Sequence, residues 1–158
     1  MQAEDIYKKL QEKFGEAIIE FKSEPPSDAF VIVKPEIVLE ISLFLRDDED
    51  LKFDYLKCLS GMDFGENLGI VYHLYSMKFA HHFEFKTLVP KSDPKVHSVE
   101  RVWRSADWHE REAYDLIGID FVNHHNLIRI LCPYDWEGHP LQKDYETPEY
   151  YHGMRVPY

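Results

Sequence analysis

Nine histidines and several closely set carboxylates give this 158-residue chain its main means of holding a metal or moving a proton. Two histidine pairs are adjacent, His81-His82 and His124-His125. Neighbours on a strand point to opposite faces, so such a pair seldom grips one ion. HExxH is absent, and so are GxSxG, the P-loop and GxGxxG. Cys58 and Cys132 stand alone, whereas iron–sulfur and thiolate–zinc sites need closely spaced thiolates. The histidines therefore read as surface or hydrogen-bonding groups, and no catalytic, cofactor-binding or metal-ligating residue is assigned. A site assembled from distant histidines and carboxylates stays open as the alternative, in a stand-alone metalloenzyme.

The densest polar run is Trp108 to Ile119. On a helix, Trp108, Glu112 and Asp115 share one face, with Arg111 four residues before Asp115. Ala113, Leu116 and Ile117 form the opposite, core-facing stripe. Glu112 and Asp115 could do acid–base work if their pKa values were pushed apart. On an exposed helix they read instead as a solvated or partner-binding face. A second run, Asp135 to Tyr145, contains the turn Gly138-His139-Pro140, and Lys143 and Asp144 are placed to pair with each other.

The elements that must carry these runs are legible from periodicity. Ile6, Leu10 and Phe14 predict a helix over 3–14, stopped by Gly15. Strands are expected at 17–21 and 29–33, around a turn at Glu24-Pro25-Pro26-Ser27-Asp28. Pro35 should open a helix reaching Arg46. An acidic loop at 47–50 should lead into another helix at 51–59. Gly61, Gly65 and Gly69 should make a flexible connection. Residues 70–77 and 79–89 read as an antiparallel pair, with Phe79, Phe83, Phe85 and Val89 facing the core. Residues 98–117 read as one bent helix or two short ones, with Ser98 and Asp107 as candidate caps and Gly118 as the stop. A short extended run is expected at 127–131. Prolines then break any helix, and the end of the chain reads as an extended aromatic tail.

Runs of helices and strands, without strict alternation, indicate an α+β class. The expected architecture is a single domain over 1–136, a small mostly antiparallel sheet packed by helices. An extended partner-binding tail follows over 137–158. A net charge of −11 repels phosphate backbones and anionic lipid, so neither nucleic acid nor direct membrane insertion is expected. The longest apolar stretch, Ile37 to Leu45, is far below the ~20 residues that span a bilayer. The first five residues do not read as a secretory signal, and two isolated thiols fit a reducing compartment.

Trp108 through Ile119 with Phe121, and then Glu137-Gly138-His139-Pro140-Leu141-Gln142-Lys143-Asp144-Tyr145, closely resemble the signature of one family. It is the thirty-kilodalton (30-kDa) subunit family of NADH–quinone oxidoreductase, respiratory complex I. Weaker similarity reaches back through Tyr72-His73-Leu74 and Phe53-Asp54-Tyr55-Leu56. The sequence departs from the family pattern at Asn123-His124-His125, where Gly-His-Pro is usual. It departs again at Ile128, where a basic residue is usual but follows one place later as Arg129, and at Gln142, where Arg is common.

The resemblance implies a structural subunit of the peripheral arm that binds no cofactor itself. NADH, FMN, iron–sulfur clusters and quinone would sit on other subunits. The implied partners are the large quinone-site subunit and its cluster-bearing neighbours, on the cytoplasmic face of the inner membrane, in an assembly coupled to proton translocation. The equivalent subunit of a ferredoxin- or F420H2-dependent dehydrogenase, or of a membrane-bound hydrogenase, is the alternative within the same resemblance. The expected partner contacts are Glu110, Arg111, Glu112 and Asp115 on the helix, and Trp136, His139, Pro140, Lys143, Asp144 and Tyr145 on the tail. A generic adaptor unrelated to respiration is the remaining reading.

Overall fold

Residues 1–23 and 28–156 are described by a computed structural model. The first helix, α1 (Ala3–Phe14), buries Ile6 and Leu10 and ends at Gly15, as their spacing predicts. Strands β1 (Ile18–Lys22) and β2 (Phe30–Val33) pair antiparallel. Most of the turn expected between them lies outside the described residues. A 3-10 turn at Pro35–Ile37 leads into α2 (Val38–Asp47), which buries Val38, Ile41 and Leu45.

Three long strands follow: β3 (Tyr55–Asp63), β4 (Asn67–Ser76) and β5 (His81–Pro90). They form an antiparallel meander, and β2 joins it parallel to β5, so the five-stranded sheet runs β1-β2-β5-β4-β3. Phe83, Phe85 and Val89 face the core together, whereas Phe79 sits in the β4–β5 turn and is exposed. The α+β class holds, with the sheet packed by helices.

The helix expected at 51–59 does not form: 55–59 is the start of β3, and 51–54 lead into it. Leu56 and Leu59 are both buried, a three-residue spacing that mimics a helix. A register shift between Leu56 and Cys58 inserts one residue into β3 and lets both leucines point inward. Gly61 and Gly69 likewise lie inside β3 and β4, and only Gly65 falls in the connection between them. Gly61 is there for packing: a Cβ would meet Ile117 and Ile119 at 3.1 Å and Ala113 at 3.3 Å.

A short strand β6 (Lys95–His97) pairs parallel with β7 (Asp120–Val122). Between them lies α3 (Ala106–Ile117), packed on β3. The helix does not begin at Ser98: residues 100–102 and 104–105 are turns, and Ser105 precedes the helix without a side-chain cap. Two bonds fasten this start to β3 and the segment that leads into it. Trp103 Nε1–H donates to Phe53 O at 2.7 Å, and Ser105 Oγ–H to Leu56 O at 3.0 Å. Gly118 stops the helix in the left-handed region, at φ 86°.

No strand forms over 127–131. A small hairpin, β8 (Tyr150–Tyr151) with β9 (Met154–Arg155), closes the described chain. Among the described residues no helix is long and apolar enough to cross a membrane.

Candidate functional site

Helix α3 carries two buried acids, Glu110 and Asp115, each fully shielded from solvent. Neither lies on an outer face as its sequence spacing suggests. The helix packs on β3 on one side, and loop segments cover Glu110 and Asp115, while Trp108 and Glu112 stay exposed.

Asp115 organises the segment for which periodicity predicts an extended run. Its Oδ2 accepts the amides of Ile130, Leu131 and Cys132 at 3.0, 2.7 and 2.8 Å. Its Oδ1 accepts Arg129 Nη1–H at 2.7 Å. Three consecutive amides aimed at one oxygen cannot also serve a sheet ladder, and the Ile128 amide is taken by Asn126 O, so the expected run forms no strand. Burial pushes the Asp115 carboxyl up, but the Cys132 amide, the Arg129 guanidinium and the other two amides outweigh it and hold it down at about 2. Burial and this carboxylate together push the Cys132 thiol up. Arg111, four residues before Asp115 and expected as a partner contact, donates to the carbonyls of Ile128 and Arg129 at 3.1 and 3.2 Å.

Glu110 faces a different environment. Its Oε2 accepts Ser98 Oγ–H at 2.6 Å and its Oε1 the Val99 amide at 2.7 Å. Burial dominates, these two bonds oppose it, and the nearby charges of Glu100 and Asp107 add to it, leaving the carboxyl at about 8. The buried Tyr72 hydroxyl has no hydrogen-bond partner among the described residues, and burial followed by the Glu110 charge raises its pKa.

Beside Glu110, three carboxylates converge on one imidazole. His124 Nε2 stands 3.3 Å from Asp107 Oδ1, 3.7 Å from Glu100 Oε2 and 3.9 Å from Glu110 Oε2. His125 Nδ1 contacts the same Glu100 oxygen, and the His125 amide donates to Glu100 Oε1 at 3.0 Å. Burial works against ionised Glu100, yet the bonds from the His125 ring and amide keep its pKa below the ordinary value. The two histidines do not diverge as strand neighbours would. Asn123, at φ 67°, turns the chain after β7, and the two rings stack 5.2 Å apart at 15°. One ligand atom each from Glu100, Asp107, His124 and His125 lies within 4.8 Å of the other three.

The tail residues are placed mostly against this same domain. His139 shares a hydrogen bond at 3.0 Å with Asp115 O through Nδ1, and its ring fills the space that a Cβ on Gly118 would occupy, at 2.6 Å. The Leu141 amide donates to Leu116 O, and Gln142 Nε2–H to Ile117 O at 2.7 Å. The Lys143 amide donates to Asp63 Oδ2 at 2.9 Å. Asp144 pairs with Lys91 at 2.5 Å rather than with Lys143. Trp136 Nε1–H donates to Tyr145 Oη at 2.9 Å, and Pro140 is half-buried. The strap therefore closes over the C-terminal end of α3. Glu112 is the one acid of the expected helix contacts left exposed.

Residues 31–151 match the family model described as respiratory-chain NADH dehydrogenase, 30 Kd subunit. The chain belongs to this family. An NADH-quinone oxidoreductase subunit from Chloroherpeton thalassium is 45% identical over 98% of this chain and 65% of its own length. The subunit of the same name from Chlorobium phaeobacteroides is 45% identical over 99% of this chain and 96% of its own. The chain thus spans just under two thirds of the first relative and nearly all of the second.

Among solved structures, a trypsin-resistant fragment of Nqo5 matches with a TM-score of 0.64 at 25% identity, covering 77% of this chain and 98% of the fragment. A component of an archaeal membrane-bound sulfane sulfur reductase shares the fold, with a TM-score of 0.74 at 21% identity over 90% of this chain and 85% of that one.

For this 30 kDa-subunit chain, the signature acids are inward-facing anchors. Sequence reasoning missed Ser98 and Glu100 as their neighbours, and it treated Asp107 only as a cap. The available signal was the displaced basic residue: Arg129 follows Ile128 and is the cation that meets Asp115.

Proposed function

We propose that this chain is a non-catalytic structural subunit in the peripheral arm of an NADH–quinone oxidoreductase. It scaffolds electron transfer whose NADH, FMN, iron–sulfur clusters and quinone are held by other subunits. Its partners in this reading are the large quinone-site subunit and its cluster-bearing neighbours, at the cytoplasmic face of the membrane, in a proton-translocating assembly. Family membership supports the assignment to such a complex.

The observation that carries the docking role is the segment 128–154, pinned at its start by Asp115 and Arg111 and further on by bonds to the end of α3 and within its own hairpin. Its backbone is fastened inward, yet it turns apolar side chains outward: Leu131, Leu141, Tyr150 and Met154 are exposed, and Tyr134 is 93% exposed. Aromatic and aliphatic side chains on a pre-ordered backbone lower the ordering cost of association and suit an interface core. The contact surface on this reading is the outer side of 128–154, with Arg111 bracing it from within.

The test is a Leu131→Ala, Tyr134→Ala chain expressed in place of the natural one. Both side chains point to solvent, so the purified chain should keep its melting temperature. Recovery of the assembled arm, and the NADH–quinone activity of membranes, should fall. Undiminished assembly with this variant would sink the docking assignment.

A further inference from the structure

We propose that Glu100, Asp107, His124 and His125 form a binding site for one divalent transition metal of the zinc class. The four come from three segments: the turns before α3, the first helical turn, and the 123–126 turn after β7. A tetrahedral ion with bonds of roughly 2.0–2.2 Å holds its ligand atoms about 3.3–3.6 Å apart. The His124–Asp107 separation of 3.3 Å already matches that edge, and His124–Glu100, at 3.7 Å, is just longer than it. His125 and Glu100, now in direct contact, would part to admit the ion.

Charge points the same way. Glu100 is buried, and Glu110 lies fully buried behind it. Every ion-pair partner of Glu100, Asp107 and Glu110 among the described residues is one of these two histidines. Within the same residues, no lysine or arginine pairs with the cluster. A buried carboxylate is costly unless paired or bound to a metal, and a divalent ion would compensate Glu100 and the half-buried Asp107 together. Two imidazole nitrogens with two carboxylate oxygens favour zinc-like ions over calcium or magnesium, which take oxygen shells. Four protein donors close a tetrahedron, so the site pins the 123–126 turn to the start of α3 and is not open for hydrolysis.

Loading costs the hydrogen bonds that His124 now makes: Nε2–H donates to Asp107 O at 3.2 Å, and a metal there would displace that bond. His124 Nδ1 accepts the Asn126 amide at 3.0 Å, which puts the ring proton of the neutral form on Nε2. A metal on Nε2 moves that proton to Nδ1, and the Asn126 amide, on an exposed residue, turns to water. Metal binding therefore carries its own signature at Asn126.

The experiment titrates zinc sulfate into the purified, chelator-stripped full chain against a competing chromophoric chelator. One equivalent should bind, the melting temperature should rise, and the Asn126 amide should lose exchange protection. X-ray absorption of the loaded chain should show a nitrogen–oxygen shell with two imidazoles. His125→Ala should weaken binding at least about tenfold, whereas His82→Ala, which alters the other pair, should not. His124 is buried and its removal endangers folding, so the half-exposed His125 is the deciding variant. Absence of stoichiometric binding, affinity indifferent to His125→Ala, or sulfur in the shell would each overturn the proposal. Assembly of the complex does not enter the measurement, so this site and the docking role fail independently.

Discussion

Arg129 reaches 2.7 Å to the Oδ1 of Asp115, and the same guanidinium donates to Gly138 O at 2.8 Å through its other terminal nitrogen. One residue thus joins the last turn of α3 to the head of the strap. The acid is fully buried and the arginine nearly so, at 0% and 15% side-chain exposure. Removing one partner of such a pair leaves an uncompensated charge.

Asp115→Asn should therefore lower stability at neutral pH by about 3 kcal/mol. Its pH dependence has a definite sign. The folded carboxyl is held down at about 2, below its ordinary value, so its contribution is present above the unfolded pKa of roughly 4 and is lost as pH falls towards 2. The gap between the natural chain and the variant, read from urea unfolding, should be largest above about pH 5 and should shrink towards pH 2. A gap constant with pH would contradict the assignment of the low pKa to this acid.

Gly118→Ala meets two obstacles at once. Alanine at φ 86° costs about 1–2 kcal/mol, and its Cβ would fall 2.6 Å from the His139 ring. Stability should drop by about 2 kcal/mol or more, and hydrogen exchange should quicken at the Leu141 amide, which bonds to Leu116. Protection at Leu141 equal to that of the natural chain would mean that the strap holds without His139.

Tyr72→Phe should be neutral or stabilising, by up to about 1 kcal/mol. The ring stacks on Phe85 with centroids 4.3 Å apart, and phenylalanine keeps that contact while removing a buried hydroxyl that has no partner among the described residues. A thermal melt decides it. A loss exceeding about 1 kcal/mol would show that the hydroxyl does have a partner.

Periodicity made much of this fold legible. α1, α2 and the β4–β5 pair follow their apolar spacing, and Gly118 stops α3 as its type predicts. The β3 strand stays hidden in the sequence because a bulge gives Leu56 and Leu59 a helical separation. The site is less legible, because amphipathic reasoning assigns charged residues to water. Glu110 and Asp115 violate that rule: Ser98, Val99 and the 130–132 amides satisfy them from segments distant in sequence. No one-dimensional pattern announces such partners. The histidine pair misleads for a related reason, since a single left-handed residue, Asn123, replaces strand alternation by a turn.

The parallel register of Phe30–Val33 against Glu84–Thr87 has a consequence for biosynthesis. As the nascent polypeptide leaves the ribosome, β2 has its first neighbour already out, but its second is synthesised only after three further elements. Until Thr87 emerges, that strand travels with one flank of amides and carbonyls unmatched, facing whatever else the cell presents.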